Sequence, residues 1–410
     1  MKRIAVIGAG AAGCFCAIEM KRRMPDATIE ILEAKNRPLA KVAITGGGRC
    51  NLTNTFRRVD DLRRIYPRGD KLMRRMLADF SHKDAWNWFE NEGVKLVAQE
   101  DECVFPVSQD AMEIVNTLTG RLRDLKVPIR LGHRIKRITP AEEAYELTFE
   151  TQKPQFFDAV VVTTGGSPKM DGLTMFDALD LKISEPLPSL FTLCIAGDWM
   201  QGLMGAVVEE TSVALAGTKI RAEGPLLITH WGMSGPAVLK LTSYAARELA
   251  QKGYEGQIVV NWLGNAAQDD AARYLREMIA NCGDRNVVNE YPRQLTNKLW
   301  RHLLSRAHVR PETKWKDLGK KAVNCLVNAL VADCYDITGK FPHKEEFVTC
   351  GGIALTNVDS KTLMCKKHPG LFFAGEILDV DAITGGFNLQ AAWSMGWCVA
   401  KSVVEFMNNP

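Results

Sequence analysis

The chain has 11 cysteines but no C-x-x-C pair, which excludes a zinc ribbon and the vicinal redox disulfide of thioredoxin-reductase-like enzymes. Cys14 and Cys16 lie two apart on an expected helix, face different sides and read as core residues. An odd number of free thiols suits a reducing compartment. His82, His133, His302, His308, His343 and His368 make no metal-ligand pattern, so no metal is expected. No run approaches the roughly eighteen apolar residues that cross a bilayer. Internal repeats and low-complexity tracts are missing, and only one dinucleotide fingerprint is visible. A net charge of +4 is too small to demand a polyanionic partner by itself.

The start, Met1-Lys2-Arg3 followed by small apolar residues, superficially resembles a secretion signal. Glycines inside so short an apolar stretch, and an amphipathic continuation through Glu19, Lys21, Arg22 and Arg23, belong instead to a soluble helix. The expectation is a soluble, cytoplasmic protein with no membrane partner. At 410 residues, 46% hydrophobic and 24% charged, the composition is that of a globular protein of two or three domains.

The first positive signal is a strand, a tight turn and a helix. Arg3-Ile4-Ala5-Val6-Ile7 reads as a buried parallel strand, Gly8-Ala9-Gly10-Ala11-Ala12-Gly13 as the turn, and Cys14 to Met24 as the helix. Gly8 permits the turn, Gly10 lets the backbone approach a pyrophosphate, and Gly13 lets helix and strand pack closely. The helix N-terminus then faces the negative charge. Glu33, followed by Ala34, ends a second strand over Thr28 to Leu32, where a carboxylate binds a ribose 2′-hydroxyl and disfavours a 2′-phosphate.

Three further segments carry donors. Leu39 to Asn54 contains Lys41 and then Gly46, Gly47, Gly48, Arg49, Cys50 and Asn51, a loop whose backbone N–H groups suit a phosphate or a flavin edge. Asp158 to Gly166 is a run of β-formers ending in Thr164-Gly165-Gly166, where a strand returns to the cofactor. Leu371 to Ala374 reads as a short buried strand turned by Gly375, with Glu376 and Asp379 beyond it. A helix starting near Asn388 follows Gly385, Gly386 and Phe387, and with Leu389 its N-terminus aims dipoles that favour an anion. Arg57, Arg58, Arg63, Arg64, Arg68, Lys71, Arg74 and Arg75 crowd one short stretch, which reads as a solvated helix face or as a strip for an anionic ligand or RNA.

The string Gly46-Gly47-Gly48-Arg49-Cys50-Asn51-Leu52-Thr53-Asn54, taken with Gly8 to Gly13, resembles the YhiN/BaiN-type flavoprotein family of bacterial FAD-binding proteins. Glu102 to Ser108, Asp158 to Gly166, Thr229 to Pro236, Cys350 to Ile353, Gly375 to Asp381 and Thr384 to Gln390 match its motifs in order, so the resemblance covers essentially the whole chain. Departures are the short Ser167 to Gly172 stretch, Phe373 and Phe387 at usual tyrosine positions, and Ala382 in place of a glycine. A lost tyrosine hydroxyl removes one candidate proton donor.

The resemblance implies an α/β fold: a discontinuous Rossmann-like FAD-binding domain of the glutathione-reductase type (1–188 and 345–410), an inserted β-barrel-like domain (189–268) and a helical subdomain (269–344). The residues themselves support the insertions. Ala206-Val207-Val208 and Gln257 to Val260 are strand-like. Ala271 to Asn281, Arg293 to Arg306 and Leu318 to Cys334 are helix-like. In the resembled family such insertions cap the reactive face of the flavin.

The implied activity is an FAD-dependent oxidoreductase that passes hydride from NADH or NADPH, bound transiently, to a small organic acceptor such as an activated C=C bond. Candidate acid–base or reactive groups are His230, Lys41 near flavin N5 by resemblance, and Cys50 beside Arg49. The alternatives are an FAD-dependent tRNA-modifying enzyme, an amine-oxidising flavoenzyme and a non-catalytic flavin-binding protein. The lack of an RNA module or of aromatic-interleaved basic surface argues against a nucleic-acid partner.

Overall fold

A computed structural model describes residues 2–167, 169–341 and 348–408. The chain divides into two compact units, Met1–Pro188 with Lys344–Pro410, and Ser189–His343. The expected boundary at 344/345, Pro168 of the altered stretch and His343 lie outside the described residues.

The first unit is organised by five parallel strands: β1 (Arg3–Ile7), β2 (Thr28–Leu32), β3 (Ile129–Arg130), β4 (Ala159–Val162) and β5 (Leu371–Phe373). Their order across the sheet is β5-β4-β1-β2-β3. β1 and β4 are near-continuous apolar runs because both faces of a parallel sheet are covered. Ile4 to Ile7 are at most 3% exposed, and the Ile4, Val6 and Ile7 side chains contribute about 1.5–3 kcal/mol each. Helices α1 (Ala11–Arg23), α2 (Ala40–Gly48), α3 (Asp70–Asp79) and α4 (Phe387–Asn408) complete the parts used below.

α1 is buried along Ala12 to Met20 and packs on α4, where the Phe15 and Trp393 rings are 5.6 Å apart. Trp393 is fully buried, and its indole N–H donates to the Leu52 carbonyl at 3.0 Å, as a buried indole requires. The segment expected as an open loop at 39–54 begins instead with helical residues of α2. The helix breaks at Thr45, and Gly46 and Gly47 are left-handed.

The second unit is a closed six-stranded barrel in the order Leu193–Ile195, Gly232–Ser234, Arg221–Ile228, Val207–Leu215, Gly256–Asn261 and Asp333–Lys340. Closure removes exposed sheet edges. Helices Gln268–Cys282, Asn297–Arg306 and Lys320–Val331 are an excursion before the last stave. Sequence reading carried the third helix on to Cys334, but from Asp333 the burial alternates strictly, the period of a strand. That stave pairs with both Gly256–Asn261 and Leu193–Ile195. The described part of the expected helical subdomain, 269–341, therefore completes the barrel and belongs to the same compact unit.

Candidate functional site

β1 and β4 mark the point where the chain changes direction across the sheet: β2 and β3 follow on one side, β5 on the other. Ligands of such sheets lie outside the carboxyl ends of the strands at that switch point. Gly8 has φ +104°, and a Cβ there would lie 2.6 Å from the Thr163 carbonyl oxygen. A Cβ on Gly13 would lie 2.1 Å from the Gly8 oxygen. Both glycines are demanded by the protein itself. Gly10 differs, because its Cβ would meet only the Thr163 oxygen, at 3.9 Å. Gly10 caps α1 without a side-chain hydrogen bond, and the first turn carries no acid, so the helix N-terminus is arranged for an anion from outside the chain.

Thr163, directly after β4, braces this turn, its hydroxyl lying 3.0 and 2.9 Å from the carbonyl oxygens of Ile7 and Gly8. Glu33 is held with its carboxylate accepting from the N–H groups of Ala9 and Lys35, each at 2.8 Å. It stands beside the fingerprint, as the register of β2 on β1 requires. Ala34 follows it, half-buried.

The C-terminal segment enters the same edge through β5, and the Ala374 N–H continues the ladder onto the Val162 oxygen at 3.1 Å. Glu376 accepts from the Thr349 N–H at 2.7 Å and from Lys41 Nζ at 3.2 Å. Asp379 accepts from the Gly351 N–H at 3.1 Å. Asn51, oriented to satisfy both contacts, donates to the Thr53 oxygen at 3.0 Å and accepts from the Gly386 N–H at 3.2 Å. Asn54 donates to the Gly385 oxygen at 3.1 Å, and the Thr53 hydroxyl donates to Gln390 at 2.6 Å. Asn388 holds both the N–H and the C=O of Ala382, at 2.9 and 3.0 Å. The GGGRCN segment and the C-terminal glycine turn are thus stitched together.

Gly8 to Gly13, Glu33, Ala34, Lys41, Gly46 to Asn51, Thr164 to Gly166, Gly375, Glu376, Asp379 and Gly385 to Leu389 all belong to the first unit. His230 belongs to the second, where its exposed ring sits edge-on to Trp231 at 4.9 Å. Lys41 is engaged with Glu376, a half-exposed pair worth little in itself that links α2 to the residues after β5. The Arg49 guanidinium lies over the Phe105 ring at 4.5 Å. Cys50 is fully buried, and burial pushes its thiol up to about 12, so it is neutral at physiological pH and packs. The Phe387 ring is buried against Phe56, at 5.1 Å, and Tyr66.

Sequence reasoning missed Thr163, one residue before the expected T-G-G, and Thr349. It also missed the bidentate ion pair of Arg68 with Asp381, whose Nε–Oδ1 distance is 2.6 Å. Asp381 is 1% exposed. No group of His, Cys, Asp and Glu among the described residues could hold a metal, and no helix among them is long and apolar enough to cross a membrane.

The family described as HI0933-like protein Rossmann domain matches residues 2–402. The chain belongs to this family. Among curated relatives, the 3-dehydro-bile acid delta(4,6)-reductase of Clostridium scindens is 26% identical over 99% of this chain and 100% of its own length. The ribosomal RNA dihydrouridine synthase of Escherichia coli is 27% identical, covering 97% of each chain. Among solved structures, the 3-ketosteroid delta1-dehydrogenase of Sterolibacterium denitrificans has a TM-score of 0.52 at 10% identity, over 99% of this chain and 100% of that one. The Escherichia coli quinol fumarate reductase subunit FrdA has 0.50 at 14%, over 100% and 71%. At these identities the two structures speak for the fold alone.

The HI0933-like assignment and the matched motifs make the chain an FAD-dependent oxidoreductase. Its residues fit that cofactor. The space over Gly10, the uncapped N-terminus of α1 and the Glu33 carboxylate suit the diphosphate and adenosine ribose. The Gly46 to Asn51 and Gly375 to Leu389 segments supply further backbone donors and carboxylates on the same edge.

Proposed function

We propose that this HI0933-like protein reduces a carbon–carbon double bond conjugated to a carbonyl, using NADH or NADPH as a transient hydride donor. The observation that carries the reading is that the two curated relatives described above are named for this one chemistry. A delta(4,6)-reductase of a 3-dehydro compound and a dihydrouridine synthase each name the saturation of a ring C=C in conjugation with a carbonyl. The single dinucleotide fingerprint at the switch point supports a resident FAD with the nicotinamide visiting.

Bound there, FAD supplies two-electron storage, so that NAD(P)H, a proton and the C=C acceptor become NAD(P)+ and the saturated product. The chain's own residues bind and orient. The α1 N-terminus holds the diphosphate, Glu33 the ribose, and Glu376, fixed by Thr349 and Lys41, offers a carboxylate oxygen to the ribityl hydroxyls. Dipoles at the α4 N-terminus favour added negative charge nearby.

The test is anaerobic. Flavin absorbance should bleach with NADH or NADPH and return on adding a cyclic enone or a uracil derivative, with the saturated product identified by mass. Failure of both nicotinamides to bleach the flavin would overturn the donor, and failure of every conjugated acceptor to restore it would overturn the acceptor.

A further inference from the structure

The basic stretch 57–75 is two populations once its partners are known. Arg58 pairs with Glu102 at 3.5 Å, Arg63 with Asp61 at 2.8 Å, Arg64 with Asp60 at 3.8 Å, and Arg68 with the buried Asp381. Arg57 apart, the second population is Lys71, Arg74 and Arg75, which have no carboxylate partner among the described residues and are exposed. They occupy positions i, i+3 and i+4 of α3, whose opposite side buries Leu72, Met73 and Met76, so the three cations share one solvent face.

Two observations tie this face to a ligand. Lys71 and Arg75 line a cleft of about 290 Å³ together with Leu72, Leu355, Val358 and Ser360, with cations and a hydroxyl beside an apolar wall. The carboxylate nearest in sequence to that wall, Asp359, is engaged by the N–H groups of Lys361 and Thr362 at 2.8 and 3.0 Å. The N-terminus of α3 is also fixed to the C-terminal cofactor segment. A Cβ on Gly69 would lie 2.6 Å from Val380, Ile383 donates its N–H to the Ile65 oxygen at 2.9 Å, and the buried Tyr66 hydroxyl donates to the Phe387 oxygen at 2.9 Å.

We propose that Lys71, Arg74 and Arg75 bind the phosphate backbone of RNA, with the adjoining cleft receiving an unstacked base, and so dock an RNA substrate beside the cofactor edge. Spaced cations next to a partly apolar slot match a chain of phosphates with bases between them better than they match a single small anion. The inference rests on the proposed C=C reduction only for naming uracil as the ring reduced; the docking itself needs no turnover.

The test uses the full-length flavoprotein and a fluorescein-labelled oligouridylate, with affinity measured between 50 and 200 mM salt. Three single-strand phosphate contacts carry a combined salt slope of about −2, equivalent to a roughly twentyfold loss of affinity over that range. The triple variant Lys71→Ala/Arg74→Ala/Arg75→Ala should lose that share. Its FAD content and its reduction of a free cyclic enone should match the parent. The exposed pair Lys320→Ala/Lys321→Ala, on a helix of the other unit, should leave the slope intact.

Equal slopes for parent and triple variant, an equal fall in the Lys320/Lys321 control, or equally effective competition by polyglutamate would each overturn the proposal. If no conjugated acceptor is reduced but the slopes differ as expected, the chemical reading falls and the docking face stands. If enones are reduced and the slopes coincide, the docking face falls alone.

Discussion

Gly10→Ala separates a glycine kept for the fold from one kept for a ligand. Gly10 has φ −86° and ψ −171°, ordinary values for alanine, and its Cβ would have 3.9 Å of clearance to the Thr163 oxygen. The entropy removed from the unfolded chain and the weaker capping by alanine offset each other to within about 1 kcal/mol. The apoprotein should therefore melt close to the parent. The methyl group, however, would crowd the α1 N-terminus, where we propose that the diphosphate binds. Forfeiting one charge-assisted hydrogen bond, about 1.5–3 kcal/mol, weakens FAD binding by about tenfold to 150-fold. Thermal unfolding of the apoprotein, together with FAD titration by flavin fluorescence, reads both quantities. Gly13→Ala is the contrast, because its Cβ would sit 2.1 Å from a backbone oxygen, and that apoprotein should be strongly destabilised. Parental FAD affinity in Gly10→Ala, or an apoprotein that fails to fold, would refute the reasoning.

Arg68→Ala removes the bidentate partner of the buried Asp381 carboxylate and should cost about 3–5 kcal/mol in denaturant unfolding, while Arg68→Met/Asp381→Leu should recover most of the loss. The Cys50 thiol, pushed up to about 12 by burial, should resist iodoacetamide in the native flavoprotein at pH 8, as judged by mass spectrometry, and Cys50→Ala should leave turnover unchanged. His302 is pushed down from 6.5 to about 4, first by burial and then by Arg306, so the unfolded chain binds the extra proton between those values. Stability from this group is full above pH 6.5 and is lost as pH falls towards 4. Melting temperature against pH should therefore be flatter in His302→Gln than in the parent across that window.

The strand, turn and helix of 3–23 and the acid at Glu33 were legible because the ligand's demands and the backbone's demands fall on neighbouring residues. The inserted barrel was legible from short strands broken by glycines. Its sixth stave was not, since Asp333-Cys334-Tyr335 follows directly on the apolar helix Lys320–Val331, and a helical period read across the join hides the alternation. Gly46 to Gly48 suggested open loop, although α2 begins just before them. Lys41 with Glu376 and Arg68 with Asp381 join residues 335 and 313 positions apart, beyond the reach of any local pattern. The cations of 57–75 looked alike as letters, and only their partners divide them.

The strand Leu371–Phe373 joins the sheet long after its neighbour Ala159–Val162 is made. At 5–20 residues per second that interval is on the order of 10–40 s, during which the growing polypeptide presents a bare, wholly apolar β edge of the kind that recruits other chains. A flavin held, as proposed, by both the Gly8 to Gly13 turn and the Gly375 to Leu389 segment is captured only after the second of these has been made. A proteolytic fragment clipped before Leu371 should be both colourless and prone to aggregate.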